Sequence, residues 1–310
     1  MKVLQVAVSG SSGLVGSDLC ARLRSAGHAV RPLQRVSRSK PASQTSLSPD
    51  DIAWDPAHGL VDPQQLESID CVVHLAGRSI ASARWTPEEK RRIRDSRVQP
   101  TSVLANQIAQ LSHPPRVFVS ASAIGIYGDH GDEVVDESTP AGQDFLAVVA
   151  NDWEQSCAAL TEAGVRVVHP RLGMVLSTSG GALAKMLPLF RWMLGGPLGS
   201  GRQYWSWVAL QDVVSAIEWM LHTPEAVGPY NVVAPDPLTN TQFTTALARV
   251  VGMPAILPAP AWGLRLALGE MADALLLSSC RVVPRRLQEQ GFSFKYPELE
   301  PLLRSQLHRS

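Results

Sequence analysis

A glycine-rich turn near the start of the chain constrains the fold more than any other sequence feature. Residues 3–8 form a short, valine-rich apolar run, and Gly10, Gly13 and Gly16 follow it in a GxxGxxG pattern. Apolar residues then recur at helical spacing up to Gly27, a residue type common at helix ends. The pattern predicts a strand, a tight turn and a helix. Such a turn presents bare backbone N–H groups at a helix N-terminus, where the diphosphate of a dinucleotide can bind.

The three glycines have separate expected roles in such a turn. Gly10 permits the sharp bend, Gly13 the close approach of a ligand, and Gly16 the packing of helix on strand. A glycine turn without any ligand is the simpler alternative, and the pattern leaves it open. A mononucleotide P-loop is excluded, because no Gly-Lys-Ser/Thr ends the turn.

Strand-like and helix-like segments alternate along the first half of the chain. Alternation of this kind is typical of βαβ units and a parallel sheet with helices on both faces. One of the expected helices has Asn151 as its N-cap and Gly164 after its end. Expected strands are residues 29–33, a short one ending at 54–56, 71–76, 116–122, 166–170 and 230–233, and expected helices are 87–98, 100–111, 151–163, 182–194, 212–221, 240–251 and 262–277.

The fold class expected from this order is α/β, a Rossmann-like doubly wound parallel sheet with a smaller C-terminal substrate lobe. We assign residues 1–172 to the dinucleotide-binding domain, which residues from about 205 to 233 complete. Residues 173–310, rich in glycine, proline and leucine, are assigned to the lobe.

Composition excludes several function classes. The 310 residues carry 28 basic and 28 acidic side chains, so no net positive field attracts nucleic acid. The four cysteines form no CxxC pair, which disfavours a zinc site or a disulfide scaffold, and we expect no bound metal. The N-terminal run is too short for a signal peptide. We expect a cytoplasmic protein without a membrane partner.

The end of the second strand favours NADP(H) over NAD(H). NAD-binding sites of this type usually place an acidic residue there, on the ribose 2′-hydroxyl. Residues 19–49 contain no Asp or Glu, but Arg35 and Arg38 lie at the expected position. Their guanidinium groups can form charge-assisted hydrogen bonds to a 2′-phosphate. Solvated surface arginines are the alternative interpretation.

Several longer motifs resemble the extended short-chain dehydrogenase/reductases. These motifs are the glycine turn, Leu75-Ala76-Gly77, and the segment 120–128, which reads SASAIGIYG. More narrowly, the whole chain is similar to the atypical branch called epimerase family proteins, which are related to NAD-dependent epimerases and dehydratases and carry a C-terminal extension. The resemblance implies an NADP(H)-binding domain, with cofactor contacts from Gly10, Ser11, Ser12, Gly13, Leu14, Val15, Gln34, Arg35, Leu75, Ala76, Gly77, Arg97, Ser120 and Arg171.

The catalytic residues depart from this resemblance. Enzymes of the superfamily use a Ser, a Tyr, and a Lys four residues after the Tyr, which together transfer a proton. Ser122 matches the serine, but Leu146 and Ala150 occupy the Tyr and Lys positions. Tyr127 is the alternative hydroxyl that we assign, with Ser122, to catalysis, although its position after a strand favours a structural role for this tyrosine.

Two functions follow from these observations. The first is an NADP(H)-dependent oxidoreductase or epimerase of atypical type, acting on a small carbonyl or hydroxyl compound that includes sugar derivatives. The second is a non-catalytic NADP(H)-binding sensor or scaffold, which the missing Tyr-x-x-x-Lys favours. We expect a small-molecule partner rather than nucleic acid, and we leave a homodimer open.

Overall fold

The computed structural model describes residues 3–36 and 47–307. The strands are β1 (Gln5–Ser9), β2 (Ala29–Arg35), β3 (Ile52–Asp55), β4 (Gly59–Leu60), β5 (Cys71–His74), β6 (Val117–Ser120), β7 (Ser122–Ala123), β8 (Val134–Val135), β9 (Arg166–Leu172), β10 (Met174–Ser177), β11 (Tyr204–Trp205), β12 (Trp207–Ala209), β13 (Gly228–Val232), β14 (Leu238–Thr239) and β15 (Arg281–Val282).

Helices connect most of these strands. The α-helices are α1 (Leu14–Ser25), α2 (Pro87–Asp95), α3 (Val98–Ala109), α4 (Phe145–Gln155), α5 (Ala158–Glu162), α6 (Gly181–Arg191), α7 (Leu210–His222), α8 (Asn240–Val251), α9 (Ala261–Leu268), α10 (Glu270–Ala272), α11 (Arg285–Glu289) and α12 (Leu299–Leu307). Two 3₁₀ turns span Pro63–Leu66 and Ile124–Ile126, and a π-helical turn spans Asp273–Leu277.

The main sheet has the strand order β13-β9-β6-β5-β1-β2-β3-β4, and all neighbours are parallel except the β3–β4 pair. Helices α1 and α7 pack on one face and α3 and α5 on the other, each over its own apolar core. The expected α/β, Rossmann-like class is therefore confirmed. The carboxyl ends of β1, β5 and β6 meet at one edge, which is where ligands bind in such sheets.

Helix α4 begins earlier than we expected. Asp144 is its N-cap, since its carboxylate accepts the backbone N–H of Ala147 at 2.9 Å. Asn151 therefore lies inside the helix, and its assignment as a cap is wrong. The helix expected at 262–277 is also interrupted, because Gly269 adopts φ +64° between α9 and α10.

The C-terminal part of the chain forms a further apolar core. Side chains from α6, β12, α8 and α12 contribute to it, Phe243 and Trp207 among the most buried. This cluster is separate from the two cores of the main sheet. The expected division of the chain at residue 172 stays a prediction.

Candidate functional site

The glycine turn after β1 has a geometry that admits almost no side chains. Gly10 adopts φ +67°, and a Cβ there would lie 2.9 Å from the backbone of Leu75. A Cβ on Gly16 would lie 2.1 Å from the carbonyl oxygen of Gly10. Gly13 closes the turn by donating its N–H to the Gly10 carbonyl at 2.9 Å. The strand, turn and helix expected from the sequence are confirmed.

The first turn of α1 lacks a side-chain cap. Gly13 is the N-cap residue, so no side-chain oxygen accepts the first N–H groups of the helix, and the first turn contains no acidic residue. Ser11 and Ser12 precede this position in the loop, and Leu14 and Val15 open the helix. Uncapped N–H groups at a helix N-terminus carry partial positive charge and are suited to an anionic ligand.

Ser9 holds the end of β5 against this turn. Its hydroxyl accepts the backbone N–H of Leu75 at 3.1 Å and of Ala76 at 3.4 Å, and it lies 2.7 Å from His74 Nδ1. Burial lowers the pKa of His74 to about 4, so the ring is neutral near pH 7. Our sequence analysis did not assign Ser9 or His74, because a Ser–His contact between different strands leaves no local pattern.

Arg97 lies beside Gly77, at the same edge of the sheet. A Cβ on Gly77 would meet the Arg97 guanidinium carbon at 3.4 Å. Arg97 donates to the carbonyl oxygens of Arg78 at 2.8 Å and Ile93 at 3.0 Å. Burial lowers its pKa to about 10, so it stays charged at neutral pH. No carboxylate in the described part of the chain pairs with it, which leaves a positive charge for an anionic ligand to balance.

Gln34 and Arg35 are the last two residues of β2, which extends two residues beyond the expected 29–33. Gln34 is half-buried and Arg35 is exposed, and the backbone of Arg35 pairs with β3 while its side chain forms no hydrogen bond or ion pair with any other described residue. Arg38, the second arginine expected at a 2′-phosphate, lies outside the described residues.

A buried ion pair lies behind the end of β6. Arg171 contacts both carboxylate oxygens of Glu154 at 2.8 Å, and Ser122 donates its hydroxyl proton to the same carboxylate at 2.6 Å. Burial alone would raise the pKa of Glu154, but the hydrogen bonds and charge of Arg171 outweigh it and the pKa is lowered. Glu154 is therefore an ionised acceptor, and Arg171, which we expected near the cofactor, is engaged within the protein.

Tyr127 extends this network away from Ser122. Its hydroxyl accepts from Arg171 Nη1 at 2.8 Å and donates to Asn231 Oδ1 at 2.7 Å. The side chain is buried, and desolvation raises its pKa to about 12 despite the neighbouring arginine. These contacts favour an anchoring role for Tyr127. Ser120 is fully buried, with its side chain beside Cys157.

Apolar residues occupy the two positions of α4 that the resemblance matches to the Tyr and Lys of the superfamily. Leu146 lies in the first turn of α4, where its Cβ is 3.5 Å from the position that a Cβ on Gly125 would take. Leu146 and Phe145 join an apolar cluster with Trp85 and with Met271 of the C-terminal part. Ala150, one turn further along α4, is buried. Neither Leu146 nor Ala150 can transfer a proton.

Comparisons with known proteins agree with this geometry. The model of the NAD dependent epimerase/dehydratase family matches residues 6–233, and a domain of unknown function, DUF1731, matches residues 259–306. An epimerase family protein of Mycobacterium tuberculosis is 44% identical over 291 residues, which cover 94% of this chain and 93% of that protein. The chloroplastic SDR39U1 homologue of Arabidopsis thaliana is 38% identical over 310 residues, covering 97% and 86%.

Solved structures extend the likeness to three dimensions. The crystal structure of human epimerase family protein SDR39U1 (isoform 2) with NADPH has a TM-score of 0.88 at 29% identity and covers 99% of this chain and all of its own. A nucleoside-diphosphate sugar epimerase from Corynebacterium glutamicum has a TM-score of 0.80 at 33% identity, and its match covers 99% of this chain and 58% of that one. The resemblance seen in the motifs is confirmed, and the chain belongs to the NAD dependent epimerase/dehydratase family.

Proposed function

We propose that this protein binds NADP(H) at the edge of the sheet formed by the glycine turn, the end of β5 and the start of α1. The observation that carries the proposal is the uncapped first turn of α1. The turn before it admits no side chain at Gly10 or Gly16, because a Cβ at either position would collide with backbone. A diphosphate at this position would accept hydrogen bonds from the N–H groups of Ser11, Ser12, Leu14 and Val15, since the N–H of Gly13 is already bound to the Gly10 carbonyl. The family match and the NADPH in the human relative support the same ligand.

Arg97 would balance the charge of the bound cofactor. The positive charge of this guanidinium is partly removed from water and has no carboxylate partner. A nearby anion, such as the cofactor, would therefore stabilise it. Leu75, Ala76 and Gly77 would present backbone and small side chains to the cofactor next to it. Ser120 and Arg171 are directed into the protein, so any contact from them would be made through backbone or through other residues.

Arg35 would select NADP(H) over NAD(H). Its guanidinium is exposed at the end of β2 without a described partner, beside Gln34 and without an acidic residue in residues 19–49. A charge-assisted hydrogen bond to a phosphate stabilises by about 1.5–3 kcal/mol, which corresponds to roughly 10- to 150-fold in affinity.

We further propose that the protein is an oxidoreductase or epimerase acting on a small carbonyl or hydroxyl compound. The bound nicotinamide supplies hydride donation or acceptance. The residue that the family resemblance assigns to this chemistry is Ser122, the first residue of β7. Its single proton is committed to ionised Glu154, so its remaining lone pairs can only accept a hydrogen bond. Ser122 would therefore orient a substrate hydroxyl rather than protonate a carbonyl.

A non-catalytic NADP(H)-binding protein is the second candidate. The specific observation in its favour is that Ser122, Glu154, Arg171, Tyr127 and Asn231 bind one another. None of these groups is left as a proton donor with a pKa near 7, and Leu146 is apolar. This candidate predicts cofactor binding without turnover.

Calorimetric titration of the purified protein with NADPH and with NADH tests cofactor binding. We expect NADPH to bind at least tenfold more tightly, and Arg35→Ala to abolish that preference without weakening NADH. Arg24→Ala, which removes an exposed cation on α1, is the matched control. Equal affinities for the two cofactors in the wild-type protein would contradict the role of Arg35.

Turnover separates the two candidates. The NADPH complex is incubated with fractionated cell metabolites, and cofactor oxidation is followed by fluorescence. An active fraction that Ser122→Ala inactivates without changing the NADPH Kd supports the enzyme. Tight NADPH binding supports the sensor if no fraction oxidises NADPH or reduces NADP⁺ and if no metabolite is converted to an isomer in the presence of either cofactor, since an epimerase turns over without net cofactor oxidation.

A further inference from the structure

Two helices of the C-terminal part carry large apolar side chains that stand out into solvent. We define the tryptophan surface as the end of α6, the loop after it, and the segment 253–268 that includes α9. Trp192 is 77% exposed and Trp262 is 72% exposed, and no residue of α9 is buried. The apolar side chains that dominate this surface are Trp192, Met193, Leu194, Ile256, Trp262 and Leu266.

The two parts of the tryptophan surface lie side by side. Gly199 donates its N–H to the carbonyl oxygen of Ala259 at 2.9 Å, and Ala259 donates to Pro197 at the same distance. A Cβ on Gly196 would fall 1.9 Å from the Leu257 carbonyl oxygen, so the backbones are in direct contact. The exposed apolar side chains therefore come from two adjoining segments, and groups of exposed apolar side chains usually mark interaction sites.

The end of α6 holds an unfavourable backbone conformation. Met193 adopts φ +56°, whereas a glycine is usual at the residue that ends a helix in this way. Its N–H binds the Phe190 carbonyl at 3.0 Å, and Leu194 N–H binds Leu189 at 2.8 Å. A non-glycine residue in this conformation is strained, because its Cβ approaches the following carbonyl oxygen. The methionine side chain occupies a position where a glycine would be more stable, and it is exposed.

Each helix combines apolar side chains with a cation on one face. Lys185 and Leu189 of α6 and Trp192, its C-cap residue, are spaced by four and three residues and share a face. On α9, Arg265 and Leu266 lie three and four residues after Trp262. Aromatic and aliphatic side chains beside Lys or Arg are typical of helices that lie in a membrane interface.

The two segments that form the tryptophan surface carry only basic charged side chains. Residues 181–202 and 253–268 contain no Asp or Glu, although the whole chain has equal numbers of acidic and basic residues. Of the four cations in these segments, Arg265 pairs with Asp273, while Lys185, Arg191 and Arg202 have no ion-pair partner among the described residues. A second copy of this chain on the same face would place like charges together. An anionic surface would attract them.

We propose that the tryptophan surface docks on a bilayer containing anionic phospholipids. The exposed Trp, Leu and Ile side chains would enter the interface between headgroups and acyl chains, and the three unpaired cations would contact lipid phosphates. No helix in the described residues is long and apolar enough to cross a bilayer, so the contact would be peripheral. The proposal departs from our sequence-based expectation of no membrane partner, and it is independent of the cofactor site.

Vesicle co-sedimentation of the full chain tests this proposal. Vesicles of phosphatidylcholine mixed equally with phosphatidylglycerol should bind the protein, and vesicles of phosphatidylcholine alone should bind it at least tenfold less. Brominated phosphatidylcholine in the mixed vesicles should quench part of the tryptophan fluorescence. The double variant Trp192→Ala, Trp262→Ala should lose at least tenfold in partitioning. Lys185→Ala with Arg191→Ala should reduce binding to the anionic vesicles, by about fivefold for each cation.

Matched controls alter exposed residues outside this surface. Val61→Ala with Val227→Ala removes exposed apolar groups, and Arg24→Ala removes an exposed cation, so both variants should bind vesicles as the wild type does. Unchanged thermal unfolding would show that the variants are folded. The proposal is overturned if the wild type does not bind anionic vesicles, or if the tryptophan variant binds them equally well. Self-association in sedimentation velocity that the tryptophan variant abolishes would assign the surface to a second copy and also overturn it.

Discussion

Arg171 and Glu154 form a buried, two-point ion pair that joins β9 to α4 next to Ser122, the first residue of β7. The contact distances are both 2.8 Å, and both side chains are at least 87% buried. Charges removed from water in this manner are stable only when each keeps its partner. Ser122 and Tyr127 take their orientations from this pair, so its integrity decides the geometry of the candidate catalytic side of the site.

Glu154→Gln should destabilise the fold by about 3 kcal/mol, because it leaves the Arg171 guanidinium buried without a counter-charge. Chemical unfolding at pH 7 measures this. Glu88→Gln is the control, since Glu88 forms an exposed pair with Arg92 and the change should alter stability by less than about 0.5 kcal/mol.

The contribution of Glu154 to stability should depend on pH. Its pKa is lowered from the ordinary 4.5, so the stabilisation is complete above that pH and is lost as the pH falls through the lowered value. The two proteins should therefore converge in stability at acid pH.

Tyr127→Phe tests whether the tyrosine hydroxyl is structural. The change leaves Arg171 Nη1 and Asn231 Oδ1 without their partner and should cost about 1–3 kcal/mol of unfolding free energy. NADPH affinity should stay within twofold of the wild type. Unaltered stability together with a tenfold weaker NADPH Kd would show that Tyr127 acts at the cofactor instead.

Gly16→Ala should destabilise the protein by about 3 kcal/mol and weaken NADPH binding, because the new Cβ would lie 2.1 Å from the Gly10 carbonyl oxygen and must displace backbone. The same substitution at Gly263, in the exposed helix α9, meets only Pro260 at 3.7 Å. It should stabilise by about 0.5–1 kcal/mol. Thermal unfolding of both variants measures the difference. Equal effects at the two positions would mean that the turn tolerates a side chain.

Gly13→Asp should oppose cofactor binding without harming the fold. Gly13 has an extended backbone, and an Asp there would cap α1 and place a carboxylate where the diphosphate is proposed to bind. Gly13→Asn caps equally well and carries no charge. The new Cβ would lie 3.3 Å from the Gly10 carbonyl oxygen in both variants, so we expect them to share one small change in unfolding temperature, and titration should show a much larger loss of NADPH and NADH affinity for Asp than for Asn. Equal losses would indicate that bulk, not charge, is responsible.

His74 should make stability depend on pH between about 4 and 6.5. Burial lowers its pKa to about 4, whereas the unfolded chain protonates it near 6.5. The unfolded state therefore binds more protons in this range, and stability falls as the pH drops from 6.5. At pH 5 the loss from this residue should be about 2 kcal/mol. Unfolding of His74→Asn at pH 5 and 7 should show a smaller pH dependence, and exposed His113→Asn should keep the wild-type slope.

The glycine turn was predictable because its information is local. Strand, turn and helix follow one another within residues 5–25, and the steric demands on Gly10 and Gly16 arise from backbone a few residues away or from the neighbouring strand. The parallel sheet was predictable for a related reason, since alternating apolar strands and helices allow few other arrangements. The early start of α4 was missed, because Asp144 was not considered as its cap.

The polar network behind Ser122 was not predictable from the pattern of residues. Tyr127 and Asn231 are 104 positions apart, and Lys90 and Glu270, which join the two parts of the chain, are 180 apart. Neither pair leaves a periodic signal, because each partner has the ordinary composition of its own strand, helix or loop. Burial then decides their chemistry: Tyr127 became an anchor with a raised pKa instead of the proton donor that its position after Ser122 suggested.

The order of residues alone determined a side-chain-poor turn, a parallel sheet and the absence of Tyr-x-x-x-Lys, since each depends on neighbours in the chain or on residue identity. Tertiary structure decided which groups can still donate a proton to a ligand, which charged side chains lack an ion-pair partner, and which apolar side chains are exposed to water. Those properties depend on desolvation and on contacts between distant segments. For that reason the unpaired charge of Arg97, a residue that the sequence resemblance had already assigned to the cofactor, and the tryptophan surface could be recognised only in the folded protein.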